Sequence, residues 1–141
     1  GGGGVAAYVK SHLPVSVLYS SDNSRLGCPE YMIIDISCNG IHVLVAVCYR
    51  APGLDFHVEF EHSLINFMAP YRHVIVMGDF NCNLLGPDNY DKTNLTNLFL
   101  SCNLIILPLN ATHHTATADT LLDVMAVADP DRVVHHGQYP A

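Results

Sequence analysis

Runs rich in apolar and β-branched residues predict mainly β-strands in the first part of the chain. These runs are residues 5–9, 31–37 and 41–49, together with 15–19, where apolar and polar residues alternate. Asn39-Gly40 separates the last two runs, and this dipeptide is typical of a two-residue hairpin turn. Ser, Asp, Gly and Pro dominate residues 20–29 and predict a loop. We therefore expect an antiparallel hairpin early in the sheet.

Helices and short buried strands alternate in the remainder of the chain. Apolar residues recur at helical spacing over 55–69, with Asp55 as the predicted N-cap, and over 94–102. Apolar runs predict further strands at 74–77, 104–107 and 121–127, and a last one starting at 133–134; polar loops are predicted up to residue 92 and over 111–119. Strands that are apolar on both faces must be covered on both sides, which favours a layered α/β sandwich over a simple barrel.

The composition describes an ordinary folded domain. The chain has 141 residues, of which 50% are apolar and 13% charged, so a disordered chain is excluded. Five cysteines without a Cys-x-x-Cys pair indicate neither a disulfide framework nor a zinc ribbon. The sequence contains neither a transmembrane run nor a signal peptide, and we expect an intracellular protein, nuclear or cytoplasmic, with reduced thiols.

The charge balance argues against nucleic-acid binding when it is taken alone. Thirteen acidic residues oppose six Lys and Arg, which gives a formal charge of −7. Contacts to phosphate groups usually come from Lys and Arg. Nine histidines are a high number, but the adjacent pairs point to opposite sides in a strand and do not suit a shared metal.

The strongest candidate site follows the apolar run 74–77. Gly78-Asp79-Phe80-Asn81 stands at the carboxyl end of this strand, where open α/β sheets bind ligands. The period of two predicts that Asp79 and Asn81 point to the same side. Their oxygens suit a hard cation or a phosphate with its attacking water. The alternative is an ordinary exit from strand to turn, since Gly, Asp and Asn favour turns.

A second carboxylate, Asp123, lies within an apolar strand. If it is buried it needs a partner such as His or Arg, and a buried Asp can orient a catalytic His. If the strand is at an edge, Asp123 can instead be exposed. Tyr49 and Arg50 end an earlier strand before a Pro turn and could hydrogen-bond a phosphate.

Taken in order, these segments resemble the endonuclease/exonuclease/phosphatase superfamily, and among its members the endonuclease domain of non-LTR (LINE-type) retrotransposons. The resemblance rests on residues 2–9, the Tyr-Arg-Ala-Pro turn at 49–52, the motif at 74–81 and the strand around Asp123. It implies a two-sheet α/β sandwich of the deoxyribonuclease type. It also implies cleavage of a phosphodiester in DNA with Mg²⁺ or Mn²⁺, and a reverse transcriptase in the parent protein.

The resemblance also implies roles for individual residues. Asp79 would position or activate the attacking water, and Asn81 would hold a phosphate oxygen. Tyr49 and Thr112 would contact the substrate, and Asp123 would orient the catalytic His. No metal ligand is assigned with certainty, since the metal-binding Glu of the family lies upstream of this chain.

The missing motifs predict a partial domain over residues 1–141. The Ser-Asp-His motif of the family lies downstream of the last residue, so we expect the fold to be incomplete and the chain alone to be inactive. Two alternatives remain open. One is a phosphoesterase of the same fold that acts on lipid or inositol phosphates, and the other is a catalytically dead relic.

Overall fold

A mixed six-stranded sheet forms the centre of the fold. The computed structural model describes residues 4–22, 27–55 and 58–139. Its strands are β1 (Val15–Ser20), β2 (Glu30–Cys38), β3 (Ile41–Tyr49), β4 (His73–Asp79), β5 (Ile105–Ile106), β6 (His113–His114), β7 (Asp119–Thr120) and β8 (Asp123–Val127). The helices are α1 (Val58–Met68) and α2 (Tyr90–Ser101), with a short 3-10 helix at Pro130–Arg132.

The strand order places β4 in the middle of the large sheet. The order is β1-β2-β3-β4-β8-β5, while β6 and β7 form a separate hairpin. β3 and β4 are parallel, because α1 carries the chain back across the sheet between them. The other neighbours in the large sheet are antiparallel. The carboxyl ends of β3 and β4 therefore meet at one edge of the sheet.

Both helices pack against the same face of this sheet, which we call the helix face. Alternate residues of the central strands contribute to it because side chains in a strand alternate between faces. Phe80 lies between the helices, with ring centroids 6.4 Å from Phe60 and 5.7 Å from Phe99. The core on this face is formed by Tyr31, Ile33, Leu44, Ala46, Cys48, Phe60, Leu64, Val74, Val76, Leu95, Leu98, Phe99, Val124 and Ala126.

The opposite side, which we call the open face, is also apolar over much of its area. Val47, Ile75, Met77 and Met125 lie on it and are half-buried. Residues 132–139 pass beside part of it and, together with Ile75 and Met125, line an open cavity of about 730 Å³. Within the described ranges no second large sheet covers this face, so one layer of the predicted sandwich is present with its helices.

The predicted strands at 15–19, 31–37, 41–49 and 74–77 are confirmed, and so is the α/β class. Four predictions were wrong or too long. Residues 5–9 pair with no strand, and Tyr8 is 99% exposed. Residues 133–134 are also irregular. Of the predicted strands at 104–107 and 121–127, only residues 105–106 and 123–127 join the sheet. A sequence can favour an extended backbone, but a strand also needs a paired neighbour.

Both predicted helices are present, and α2 differs from its predicted bounds mainly at the amino end. α1 begins at Val58, and residues 56–57 next to the predicted N-cap Asp55 lie outside the described residues. α2 begins earlier than predicted, because Asn89 caps it by accepting the Lys92 N–H at 2.9 Å. The sequence predicts a loop for this first turn because its residues are polar. Neither described helix has the length and apolar character needed to cross a membrane.

Candidate functional site

Three of the predicted site residues form a row across neighbouring strands. Tyr49 on β3 is in register with Asp79 on β4, and Asp79 is in register with Asp123 on β8. Residues in register on adjacent strands point to the same face. The row therefore lies on the open face, at the carboxyl ends of β3 and β4. The sheet brings together residues separated by up to 74 positions, from Tyr49 to Asp123.

Gly78 allows β4 to approach β3 closely at this point. Its φ of +154° is in a region that favours glycine, and a Cβ here would lie 1.8 Å from the carbonyl oxygen of Cys48. Any side chain would force the two strands apart. This close approach of the two strands supports the alignment of Asp79 with Tyr49.

The Asp79 carboxylate is half-buried and lies beside other charged groups. Its Oδ1 accepts the Asn81 backbone N–H at 2.8 Å. Burial raises the pKa of Asp79 above its ordinary value of 3.8, and the negative charge of Asp123 raises that pKa further. The Asn81 hydrogen bond and the nearby His113 act in the opposite direction. A carboxylate with a raised pKa is a better proton acceptor, which suits it to binding a water molecule that loses a proton.

Asn81 does not continue the strand, so the period of two from which the sequence predicts its direction does not apply at this position. β4 ends at Asp79, and Asn81 has a left-handed backbone with φ +47°. Asn adopts this conformation more readily than most residues. Its Nδ2 donates to the Arg50 carbonyl at 2.8 Å, and no described residue donates to its Oδ1. Asn81 is held next to Asp79 by a turn rather than by the pleat of a strand.

The sequence suggested that Arg50 could hydrogen-bond a phosphate. The structure contradicts this, because the Arg50 side chain is buried. Its side chain is 2% exposed, and its Nε donates to the Leu54 carbonyl at 2.6 Å. One terminal nitrogen donates to the Phe80 carbonyl at 3.0 Å, and the other to Asp91 at 2.9 Å. Its partner Asp91 comes 41 positions later, so the ion pair had no local signal in the sequence.

Thr112 is held close to Asp123 through the backbone. Its hydroxyl oxygen accepts the N–H groups of Leu122 and Asp123, both at 3.1 Å. Its own N–H donates to the Thr120 carbonyl at 2.8 Å across the β6–β7 hairpin. Thr112 therefore joins the hairpin to the beginning of β8, at the edge of the row of site residues.

Asp123 is exposed, which is the second of the two alternatives left open by the sequence. β5 pairs only with Ala126 and Val127 of β8, so among the described residues no strand lies beside the beginning of β8 on that side. Within the described ranges, no histidine bonds its carboxylate. His113 is near Asp79 instead, whereas the adjacent His114 is paired with Asp119 at 2.8 Å.

The donor atoms of the site have the chemistry of a ligand for a hard cation. Mg²⁺ is commonly bound by one or two carboxylates together with phosphate oxygens and water. Asp79 and Asp123 supply two carboxylates in register on one face, and a cation would offset their mutual repulsion. In the part of the chain that the structure describes, no group of three or more His, Cys, Asp or Glu could hold a metal by itself.

Several solved structures share this arrangement of strands and helices. The endonuclease domain of TRAS1, a telomere-specific non-LTR retrotransposon, superposes with a TM-score of 0.59 at 18% identity, over 82% of this chain and 54% of that one. D. rerio TDP2 complexed with a single-strand DNA product gives 0.51 at 12% identity, over 80% and 53%. The human Nocturnin catalytic domain with bound sulfate gives 0.50 at 17% identity, over 81% and 48%.

The chain has the endonuclease/exonuclease/phosphatase fold. This confirms the fold implied by the resemblance of the sequence motifs. The chain spans about half the length of these solved structures. No protein-family model matches the sequence, and no curated protein matches it significantly.

Proposed function

We propose that the protein carrying this chain is a metal-dependent phosphodiesterase that nicks DNA, as the endonuclease of a non-LTR retrotransposon with a reverse transcriptase in the same polyprotein. The observation that carries the proposal is the row formed by Tyr49, Asp79 and Asp123 at the carboxyl edge of β3 and β4. A phosphodiester placed over this row meets one phenol and two carboxylates. The fold shared with phosphodiesterases supports this class of reaction.

Each residue of the site has a proposed task. Asp79 orients the attacking water and takes its proton, helped by its raised pKa. Asn81 binds a non-bridging phosphate oxygen through its carboxamide, which the turn holds beside Asp79. Tyr49 donates its phenolic hydrogen to the phosphate. Thr112 contacts the substrate next to the scissile bond, and Asp123 orients the histidine that the resemblance implies.

Mg²⁺ or Mn²⁺ is the proposed cofactor. When it is bound, the cation stabilises the negative charge that develops on the phosphate oxygens. Asp79 and Asp123 are the described residues that could hold it. Their negative charge would otherwise repel DNA, so the cation also accounts for nucleic-acid binding by an acidic chain.

A plasmid-nicking assay tests the proposal. The 141-residue chain and the longest reading frame that contains it are incubated with supercoiled DNA and Mg²⁺. We expect nicking by the longer protein that is lost on chelation with EDTA and reduced at least a hundredfold in Asp79→Ala. The control is Asp131→Asn, which removes an exposed carboxylate in the 3-10 helix that follows the end of β8 opposite to Asp123, and it should keep full activity.

The other outcomes distinguish the alternatives. Release of phosphate from inositol phosphates without nicking of DNA would favour a small-molecule phosphoesterase. A folded protein that cleaves neither substrate would favour a catalytically dead relic. Activity that survives Asp79→Ala would overturn the assignment of the site.

A further inference from the structure

Both main-chain groups of Arg50 are bonded to the candidate site. Its N–H donates to the Asp79 carbonyl at 2.9 Å, and its carbonyl accepts the Asn81 carboxamide at 2.8 Å. The main chain of Arg50 thus holds both the backbone of Asp79, which is proposed to bind water, and the side chain of Asn81, which is proposed to bind phosphate. A displacement of Arg50 would move both.

The Arg50 side chain also holds the main chain of this region in place. The planar guanidinium binds the Phe80 carbonyl, within the same turn as Asp79 and Asn81, and the Leu54 carbonyl, in the turn after β3. A guanidinium presents its donors in a rigid fork, so these bonds define one orientation. Lysine could not reach all of these acceptors with its single nitrogen.

Asp91 supplies the negative charge that a buried guanidinium requires. It belongs to the first turn of α2, where the helix dipole favours a carboxylate. It is 39% exposed, and it contacts the buried Arg50 at 2.9 Å. The pair therefore connects α2 on the helix face to the turn that carries the site.

We propose that Arg50 and Asp91 form a positioning pair that holds the Asn81 carboxamide beside the Asp79 carboxylate in the geometry needed for phosphodiester cleavage. This inference rests on the proposed function. Neither residue touches the substrate in this scheme. Their role is to fix the main chain on which the two catalytic residues are mounted, and misplacement of a reacting group by about 1 Å can cost on the order of a hundredfold in rate.

Asp91→Asn and Arg50→Lys test the pair, with Asp88→Asn as the matched control. Asp88 lies at the same end of α2 and pairs with Lys92 at 3.2 Å, but it is 92% exposed and does not contact Arg50. Each variant removes or alters one charge near the same helix terminus. Asp91→Glu is a conservative variant that restores the charge.

The first readout is the NMR spectrum of the chain without substrate. We expect the side-chain NH₂ signals of Asn81 to change in Asp91→Asn and Arg50→Lys. They should change little in Asp88→Asn. Circular dichroism identifies any variant that does not fold. The conclusion rests on Asp91→Asn, which we expect to fold because Asn has the same shape as Asp and the position is partly exposed. Unchanged Asn81 signals in folded Asp91→Asn would overturn the proposal.

The second readout is cleavage of DNA by the longest protein that contains the chain. We expect kcat to fall about tenfold to a hundredfold in Asp91→Asn with KM nearly unchanged, and to recover in part in Asp91→Glu. An equal loss in Asp88→Asn would also overturn the proposal. If the Asn81 signals respond as expected while even the unsubstituted protein cleaves no DNA, the proposed function fails but the positioning pair stands.

Discussion

Asp79 and Asp123 lie in register on the antiparallel strands β4 and β8, so that two carboxylates face each other on the open face of the sheet. Like charges directly opposite in a sheet are destabilising. The arrangement lowers stability unless a proton, a cation or a bound group lies between the strands. Local rules of stability are most often broken at functional sites, and this pair is where we expect the chemistry to occur.

Asp79→Asn should be at least as stable as the unsubstituted chain at neutral pH. Because the folded pKa of Asp79 is raised, its proton is held more tightly in the folded state than in the unfolded chain. The resulting stabilisation is present below the ordinary pKa of 3.8 and is lost as the pH rises through the folded pKa. Asn keeps an oxygen that can accept the Asn81 N–H without the charge. The measurement is urea unfolding at neutral and acidic pH.

The comparison with Asp131→Asn checks this explanation. That control neutralises an exposed carboxylate and should shift the unfolding midpoint little at any pH. A clear loss of stability in Asp79→Asn at neutral pH would mean that the charged form of Asp79 is favoured by the fold, contrary to the expected direction.

Gly78→Ala should destabilise the fold by about 3 kcal/mol or more, because overpacking and backbone strain act together. The added Cβ would lie 1.8 Å from the Cys48 carbonyl oxygen, which belongs to the neighbouring strand and cannot move aside easily. Gly137→Ala is the control, because nothing lies within 4 Å of its Cβ position. Chemical denaturation gives both values, and equal stability of the two variants would refute the steric argument.

Thr112→Ala should cost about 1–2 kcal/mol of stability, since two backbone N–H groups lose their acceptor. Thr112→Ser keeps the hydroxyl oxygen and should retain most of that stability. Thermal unfolding measures the difference between the two variants. If Ala and Ser are equally stable, the hydroxyl does not support the beginning of β8. A loss of activity in Ala alone would then be attributed to substrate contact.

Tyr71→Phe should make the protein less sensitive to acid. The Tyr71 hydroxyl donates to Asp35, and this bond and the one from His42 lower the pKa of Asp35. A lowered folded pKa gives stability that is present above the ordinary value of 3.8 and is lost as the pH falls through the folded pKa. Without the hydroxyl, the difference in unfolding free energy between neutral and acidic pH should shrink. Tyr8→Phe, at a 99% exposed position, should leave that difference unchanged.

The sequence predicted those elements whose signal is local. Asn39-Gly40 identified the hairpin of β2 and β3, and the apolar run at 74–77 identified β4 with the motif at its end. Residues 5–9 are apolar and were predicted to be a strand, but they form none, since no described neighbour pairs with them. The predicted start of α2 lies too late in the chain, because the first turn of this helix is polar and depends on the Asn89 cap.

Local sequence patterns predicted the geometry of the candidate site only in part. The motif at 78–81 marked Asp79 and Asn81 as a site, but the left-handed turn at Asn81 was not visible in a pattern of period two. The exposure of Asp123 depends on β5, which ends its pairing at Ala126 and Val127. No pattern within a short window contains that information.

The sequence by itself determined the α/β class, the central strands and the identity of the carboxylates at the site, since each depends on side chains close together in the chain. The tertiary structure alone decided which of these groups meet. The register of β4 with β8 placed Asp79 opposite Asp123, and burial of Arg50 required a partner that α2 supplies as Asp91. Strand register and the pairing of buried charges are set by contacts between distant segments, and these contacts exist only once the sheet and helices have packed.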